Sequence, residues 1–236
     1  MRRSLIAMAA LVSSLALAAC GGSTSQPLPA GLQGKSAAWV LLTSRTAGVK
    51  AGFALISAQS VPHSIGSAVI QAGTVTGSES SSGAGGKLEV RLVNNVVYFQ
   101  GDSRYMHVNF PKAHTDYSGK WISIPYTSPL FSSGTNLTVA GNFVNVMPTA
   151  NLRVAGVRTY NGTKCVLVTG QYSDKSGGSI KVYINYASPF LPVAVVSSVS
   201  LLGHGAGQIE SYSKWGVPFV VTAPSSSTPI TAAGLK

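Results

Sequence analysis

The fold of this chain is most constrained by a series of short alternating segments joined by tight-turn signals. Residues 87–93 alternate apolar and charged side chains, and Asn94-Asn95 then leads into residues 96–100, which are largely apolar and end at Gln100. Asn tolerates the positive φ that such a two-residue turn requires. Asn161-Gly162 is a stronger signal of the same kind, and residues 179–186 alternate as cleanly as residues 87–93. Strands joined by hairpins pair antiparallel, so the sequence predicts an antiparallel sheet.

Two segments have helical rather than alternating spacing. Residues 36–49 place apolar side chains at near-helical intervals, and residues 102–146 form an insert of short helices between two groups of strands. The Ser- and Gly-rich residues 77–86 are predicted to be a flexible hairpin loop. A long antiparallel sheet must curl, and its concave face must be covered. The predicted fold is therefore α+β, mostly β: a curved antiparallel half-barrel sheet covered on its concave face by a few helices.

A curved sheet covered by helices can enclose an apolar cavity, which suits an acyl chain. We expect the side chains with the cleanest alternation to line it. These candidate ligand-lining residues are Leu88, Val90, Leu92, Ile180, Val182 and Ile184.

The N-terminus has the three parts of a secretory signal. Arg2 and Arg3 are followed by a short apolar run over residues 5–17, and Leu17-Ala18-Ala19-Cys20 closely resembles the bacterial lipobox. We predict that residues 1–19 are a lipoprotein signal peptide and that Cys20 is lipidated. Residues 20–34, rich in Gly, Ser and Pro, are predicted to be a flexible tether. The expected location is the outer face of the cell membrane.

The charge balance reflects a shortage of acids more than a cluster of bases. Without Arg2 and Arg3 the formal net charge falls from +11 to +9, and the chain has only six acidic residues. The scattered Lys and Arg indicate either a solvated surface or attraction to an anionic leaflet or cell-wall polymer. We expect no nucleic-acid partner, because the chain has no basic-aromatic cluster.

No catalytic, metal-binding or cofactor site is predicted. His63, His107, His114 and His204 lack the spacing of zinc ligands. The residues from Ser211 to Lys214 match the pattern S-x-x-K, but they lie in a predicted strand, whereas a penicillin-recognising enzyme has this Ser at a helix start. Once Cys20 is lipidated, Cys165 has no disulfide partner and is expected to be a buried thiol. The sequence therefore indicates a protein that is not an enzyme.

Four short segments of the sequence resemble those of a known protein family. They are Val-Val-Tyr-Phe-Gln-Gly-Asp at residues 96–102, Gly-Lys-Trp-Ile-Ser-Ile-Pro at 119–125, Ser-Lys-Trp-Gly at 213–216 and Val-Val-Thr-Ala-Pro at 220–224. With the lipobox, they are similar to actinobacterial lipoproteins of the LolA-like superfamily, of the LppX/LprG type. The resemblance implies a half-barrel domain over residues 35–222, followed by a disordered tail at 223–236.

Known members of that superfamily bind lipids, lipoglycans or acylated proteins and move them between membranes. The resemblance therefore implies a membrane-anchored lipoprotein that binds a lipid or other hydrophobic ligand, with transfer and oligomeric state left open. The alternative is a non-enzymatic surface lipoprotein with a filled core that contacts a protein or cell-wall partner. A large internal void favours the first function, and a filled interior favours the second.

Overall fold

The computed structural model describes residues 26–61, 66–112, 114–128, 134–172, 178–201 and 204–230. Within these ranges the strands are β1 (Ala54–Val61), β2 (Gly66–Ala72), β3 (Gly77–Gly83), β4 (Gly86–Val93), β5 (Val96–Gly101), β6 (Ile122–Pro125), β7 (Ala150–Tyr160), β8 (Thr163–Gln171), β9 (Ser179–Asn185), β10 (Pro192–Leu201), β11 (His204–Ser213) and β12 (Thr228–Pro229). The helices are α1 (Ala37–Ala51), α2 (Ser103–Asn109), α3 (His114–Tyr117) and α4 (Val139–Val146).

All of these strands belong to one sheet, in the order β12-β6-β5-β4-β3-β2-β1-β11-β10-β9-β8-β7. Every neighbouring pair is antiparallel except β12 with β6. Pairing of β1 with β11 joins the early and late strands, while the outermost strands β12 and β7 do not pair with each other. The sheet is therefore an open, curved half-barrel, and the predicted fold class is confirmed.

The predicted helix over residues 36–49 is also confirmed, as α1. The Ser36 hydroxyl accepts a hydrogen bond from the Trp39 N–H at 3.2 Å, which caps the first turn. Gly52 ends the helix with φ 81°, a conformation that glycine adopts without steric cost. The predicted insert over residues 102–146 contains α2, α3, β6 and α4.

The prediction of a loop at residues 77–86 was wrong for most of its length. Residues Gly77 to Gly83 form β3, which pairs along its full length with β2 on one side and β4 on the other. Its Ser and Gly residues have weak strand propensity, but two neighbouring strands satisfy its backbone groups. Only residues 84 and 85 remain as the turn.

The hydrophobic core lies on the helix-bearing face of the sheet. Register places Ile56, Ile70, Val90 and Phe99 in one row across β1, β2, β4 and β5, and all are buried. The helices cover this face with buried side chains, which include Val40 and Leu41 from α1 and Phe143 and Val146 from α4. Burial of each such side chain contributes roughly 1.5–3 kcal/mol.

Both ends of the described chain contact the domain. Leu32, within the predicted tether, is fully buried, and the Tyr186 hydroxyl donates a hydrogen bond to the Pro27 carbonyl at 3.1 Å. Within the predicted tail, β12 pairs with the edge of β6. The packed body thus extends beyond residues 35–222 on both sides. In the described ranges, no helix is both long enough and apolar enough to cross a bilayer.

Candidate ligand-binding groove

All six candidate lining residues lie on the helix-bearing face. Ile180, Val182 and Ile184 are fully buried, Leu92 and Val90 are nearly so, and Leu88 is half-buried against the same core. These side chains pack against other protein side chains. Their contact with a ligand remains a prediction.

A groove of about 400 Å³ opens at one end of the sheet, where β1, β2, β3, β4 and β11 meet α2. We call it the small-residue groove. Its lining includes Ala58, Ser60, Ala68, Ser81, Tyr105 and Gln208. None of the six predicted lining residues belongs to it.

The groove exists because the inward-facing side chains become small toward this end of the sheet. Register aligns Ala58 with Ala68 and Ala68 with Ser81 across β1, β2 and β3. Two residues further along β1 and β2, the same face carries Ile56 and Ile70, which fill the space under the helices. Methyl and hydroxymethyl groups fill much less volume than isoleucine side chains, so a gap remains where close packing would otherwise be expected.

Helix α2 forms one wall of the groove through Tyr105, Val108 and Asn109. Asp102 caps the helix: its carboxylate accepts hydrogen bonds from the N–H groups of Tyr105 at 2.7 Å and Lys87 at 3.0 Å. The Tyr105 hydrogen bond is the largest of the effects that hold the pKa of Asp102 below its usual value. The side chain of Val108 is 58% exposed at the rim.

Two glycines let α2 approach the sheet closely. A Cβ on Gly101 would lie 2.5 Å from the Tyr105 ring, and a Cβ on Gly86 would lie 2.4 Å from the Tyr105 nitrogen. Gly86 also has φ 107°, which other residues rarely adopt. The position of the groove wall therefore depends on the absence of side chains at both positions.

A buried polar network begins at the groove and continues under α4. The Gln208 side-chain amide, which lines the groove, donates a hydrogen bond to Glu210 Oε1 at 2.8 Å. Glu210 Oε2 accepts a hydrogen bond from the Asn142 amide at 3.1 Å and lies 3.0 Å from the Tyr212 hydroxyl. Burial raises the pKa of Glu210, although the hydrogen bonds from Asn142 and Tyr212 oppose this shift. Glu79 on β3 also has its pKa raised by burial.

A second pocket, of about 650 Å³, lies at the β5–β6 edge of the sheet. Its lining includes Ile124, Pro125, Ser128, Pro229 and Ile230. The chain continues from it into residues 129–133 and 231–236, which lie outside the described ranges. Residues 62–65, which join β1 to β2 beside the small-residue groove, lie outside these ranges too. The small-residue groove is the candidate because it lies between the sheet and a covering helix, where the sequence predicts a cavity.

Neither Ser211 nor Lys214 has the placement that the S-x-x-K pattern of a penicillin-recognising enzyme requires. Ser211 lies on β11 and Lys214 is exposed after it, so neither is at a helix start. Within the described ranges, no three His, Cys, Asp or Glu side chains are placed to hold a metal ion. His63 lies outside these ranges.

Cys165 has the character of a structural thiol. It is buried, its Sγ donates to the Thr163 carbonyl at 3.4 Å, and burial raises the pKa of the thiol. A raised pKa disfavours the reactive thiolate.

Sequence reasoning did not find the groove residues. Small residues at the ends of strands follow no periodic pattern, so in a sequence a groove lined by them looks like a turn. Two features of the sequence could have indicated the groove. One is the Ser-rich segment that forms β3, and the other is Glu210, which is the one charged residue between residues 205 and 213.

No protein-family model and no curated protein sequence matches this chain. Solved structures do resemble it. LprF from Mycobacterium bovis has a TM-score of 0.53 at 15% identity and covers 80% of this chain and 97% of its own. The Mycobacterium tuberculosis lipoprotein LppX has a TM-score of 0.49 at 14% identity, with 78% and 99% covered. At these identities the similarity concerns the fold alone. The chain therefore shares the fold of LprF, in agreement with the fold that its sequence predicted.

Proposed function

We propose that this protein is an exported, membrane-anchored lipoprotein that binds the apolar chain of a lipid in the small-residue groove. The proposal rests chiefly on one observation: the row of Ala58, Ala68 and Ser81 leaves space between the sheet and α2. A volume of about 400 Å³ falls within the usual range for small-molecule sites, about 300–1,000 Å³.

The chemistry of the lining suits a chain with a polar end. Ala58, Ala68, Tyr105 and Val108 offer apolar surface, while Gln59, Gln208 and Asn109 offer amide groups, and no lining residue is charged. Each Å² of apolar surface removed from water contributes about 25 cal/mol before the entropic costs of binding. Binding without catalysis is the role that these groups support.

The alternative is a surface lipoprotein that acts on a protein or cell-wall partner. It is favoured by the filled core under α1 and α4, where Ile180, Val182 and Ile184 are fully buried. The two functions differ in whether the groove is occupied by a ligand.

Filling the groove is the decisive experiment. Ala68 is half-buried at the groove, whereas its neighbour Val69 is 50% exposed on the opposite face of β2. We expect Ala68→Phe to place its ring in the groove and to bind a fluorescent fatty acid at least about tenfold more weakly than wild type. Val69→Phe adds a ring to the same strand outside the groove and should bind like wild type.

Native mass spectrometry of the full-length detergent-purified protein provides a second measurement. Solvent extraction removes a bound lipid but leaves the covalent anchor, so the two are distinguishable. We expect a co-purified acyl species with wild type and Val69→Phe but not with Ala68→Phe. If wild type carries and binds no lipid, or if Ala68→Phe binds as well as wild type, the groove is not the site and the alternative is favoured.

A further inference from the structure

Helix α1 is apolar on two sides. One side packs in the core through Val40, Leu41 and other buried residues. The other side presents Trp39, Leu42 and Val49, whose side chains are 40%, 60% and 40% exposed. Positions 39, 42 and 49 lie on one face of the helix, within an arc of about 80°, because successive residues are rotated by about 100°. We call these three residues, with the basic residues Lys35, Arg45 and Lys50 on and beside this helix, the α1 outer face.

Other exposed apolar side chains lie on segments that contact α1. Val144 is 62% exposed on α4, which packs against α1. Val75 is 69% exposed and follows Thr74. The Thr74 methyl group would lie 3.5 Å from a Cβ atom placed on Gly52, the residue that ends α1. Exposed apolar area of this kind usually marks a surface that contacts a membrane or a partner.

The charges around α1 indicate what kind of surface it contacts. Lys35, Arg45 and Lys50 are exposed on or beside α1, and Lys35 Nζ lies 5.1 Å from the centre of the Trp39 ring. The first acidic residue in the sequence is Glu79, so α1 and its flanking segments contain none. A surface with Trp, Leu and Val among uncompensated bases is complementary to the interface of an anionic bilayer. Lysine is depleted at protein–protein interfaces, so Lys35 and Lys50 beside the exposed apolar side chains favour a bilayer over a protein partner.

A short tether keeps the folded body close to the bilayer. Pro27 is held against the domain by Tyr186, so only the chain between Cys20 and Pro27 separates the predicted anchor from the folded body. A chain of that length spans at most about 25 Å even when fully extended. The surface that meets the bilayer is therefore selected by its chemistry, and the α1 outer face has the exposed apolar side chains and the bases that such a surface requires.

We propose that the α1 outer face lies on the anionic membrane surface, with Trp39, Leu42 and Val49 at the level of the lipid headgroups and Lys35, Arg45 and Lys50 against anionic phosphates. The Cys20 anchor would hold the protein at the membrane, and the α1 outer face would fix its orientation there. This inference rests on the proposed Cys20 anchor and is independent of the proposed groove ligand.

The test uses the full-length lipidated protein reconstituted in vesicles that contain phosphatidylglycerol and acyl-brominated phosphatidylcholine. Bromine quenches tryptophan fluorescence only at close range. We expect strong quenching that Trp39→Phe largely removes, because Trp121 is half-buried before β6 and Trp215 is half-buried with its ring against Gly48, on the core side of α1. Lys35→Gln, Arg45→Gln and Lys50→Gln together should lower the quenching at least about threefold, as should high salt.

Control variants carry the same kinds of substitution at exposed positions of the sheet, away from α1. Lys87→Gln, Arg153→Gln and Lys181→Gln remove the same charge from exposed positions elsewhere and should leave the quenching unchanged. Leu42→Ser with Val49→Ser should lower it, whereas Val61→Ser with Val69→Ser should not.

Three outcomes would overturn the proposal. The first is an absence of Trp39 quenching in anionic vesicles. The second is an equal effect of the two charge-removal sets. The third is protection of the α1 amides from hydrogen exchange without vesicles, accompanied by a dimer mass, which would assign the face to a second copy of the chain. Lipid binding by the Ala68→Phe variant is measured separately, so failure of one proposal leaves the other intact.

Discussion

Asn142 on α4 donates a hydrogen bond from its side-chain amide to the Glu210 carboxyl group on β11, over 3.1 Å, and both residues are buried. The Tyr212 hydroxyl lies 2.8 Å from Asn142 Oδ1 and 3.0 Å from Glu210 Oε2. A phenol has one proton and can donate to only one of these oxygens. A proton on Glu210 supplies a donor for the other contact. The network that joins α4 to the sheet is therefore complete when Glu210 is neutral.

This proton makes the stability of the fold depend on pH. Burial raises the pKa of Glu210 above its ordinary value of 4.5. Between that value and the raised one, the native state binds more protons than the unfolded state, so the free energy of unfolding falls as pH rises. Glu79 contributes in the same direction, since burial raises its pKa too.

We predict that Glu210→Gln reduces this loss of stability. Glutamine cannot ionise, so the stability of the variant relative to wild type should rise progressively as pH rises above 4.5. An amide nitrogen at the Oε2 position would face the Asn142 amide, so the variant is expected to be offset by a constant amount at every pH. Urea denaturation from about pH 4 to about pH 8 measures the effect. Glu89→Gln removes a charge from an exposed side chain and serves as the control. If wild type and Glu210→Gln have the same pH dependence, Glu210 is not protonated in the fold.

A second prediction follows from the close contact between Gly48 of α1 and Phe143 of α4. A Cβ on Gly48 would lie 2.7 Å from two carbons of the Phe143 ring. Alanine would gain about 1 kcal/mol of helix propensity, but overpacking typically costs about 1–3 kcal/mol. We expect Gly48→Ala to destabilise the domain by about 1 kcal/mol.

A double-mutant cycle tests the cause. Phe143→Leu removes the closest atoms that alanine would meet and leaves only Trp215 Cη2, at 3.2 Å, so Gly48→Ala in that background should cost less than in wild type or be neutral. Denaturant unfolding of the four proteins gives the coupling energy. Additive effects would show that the two helices shift apart to accept the methyl group.

Leu92 tests the burial of the predicted lining residues. It is 2% exposed, and register places it beside Gly77 on β3 and Val97 on β5. Leu92→Asp buries an unpaired charge, so we expect a loss of at least about 3 kcal/mol and an unfolded or aggregated protein. Leu92→Ala should cost about 2–5 kcal/mol and leave a folded domain that still binds lipid through the groove.

Val69→Asp is the control for the charge, because Val69 is 50% exposed on β2. It should fold with near-normal stability. A folded Leu92→Asp protein that has lost only lipid binding would instead place Leu92 in the ligand site, as the sequence first indicated.

The parts of this fold that the sequence predicts are those with a local physical signature. Asn94, Asn95 and Asn161 all have the positive φ that a hairpin turn needs, which is why these turns were identifiable. The alternation in residues 87–93 and 179–185 likewise gave β4 and β9 with little error. Ser36 caps the start of α1 where the sequence predicts it, whereas the helix continues beyond the predicted end at residue 49 and stops at Gly52.

The groove could not be predicted because it arises from long-range register. Ala68 and Ser81 are unremarkable until pairing of β2 with β3 places them side by side on the concave face. The Ser-rich β3 is a strand only because two neighbours satisfy its backbone, and local propensity does not report that. Glu210 likewise reads as an exposed strand residue until α4 covers it.

The predicted anchor is tested by Cys20→Ala. Without the thiol no diacylglyceryl group can be attached, and each buried methylene that is lost removes about 0.8 kcal/mol of membrane affinity. We expect wild type in the membrane fraction and Cys20→Ala largely in the soluble fraction. High salt should release any variant protein that remains on the membrane, because the proposed contact of the α1 outer face is partly electrostatic. Because the apolar run at residues 5–17 could itself retain an uncleaved chain, the intact mass must show whether residues 1–19 are gone. Replacing residues 1–20 with a cleavable signal that lacks Cys gives the same release without that complication, and salt-resistant membrane association of the cleaved protein would contradict the anchor.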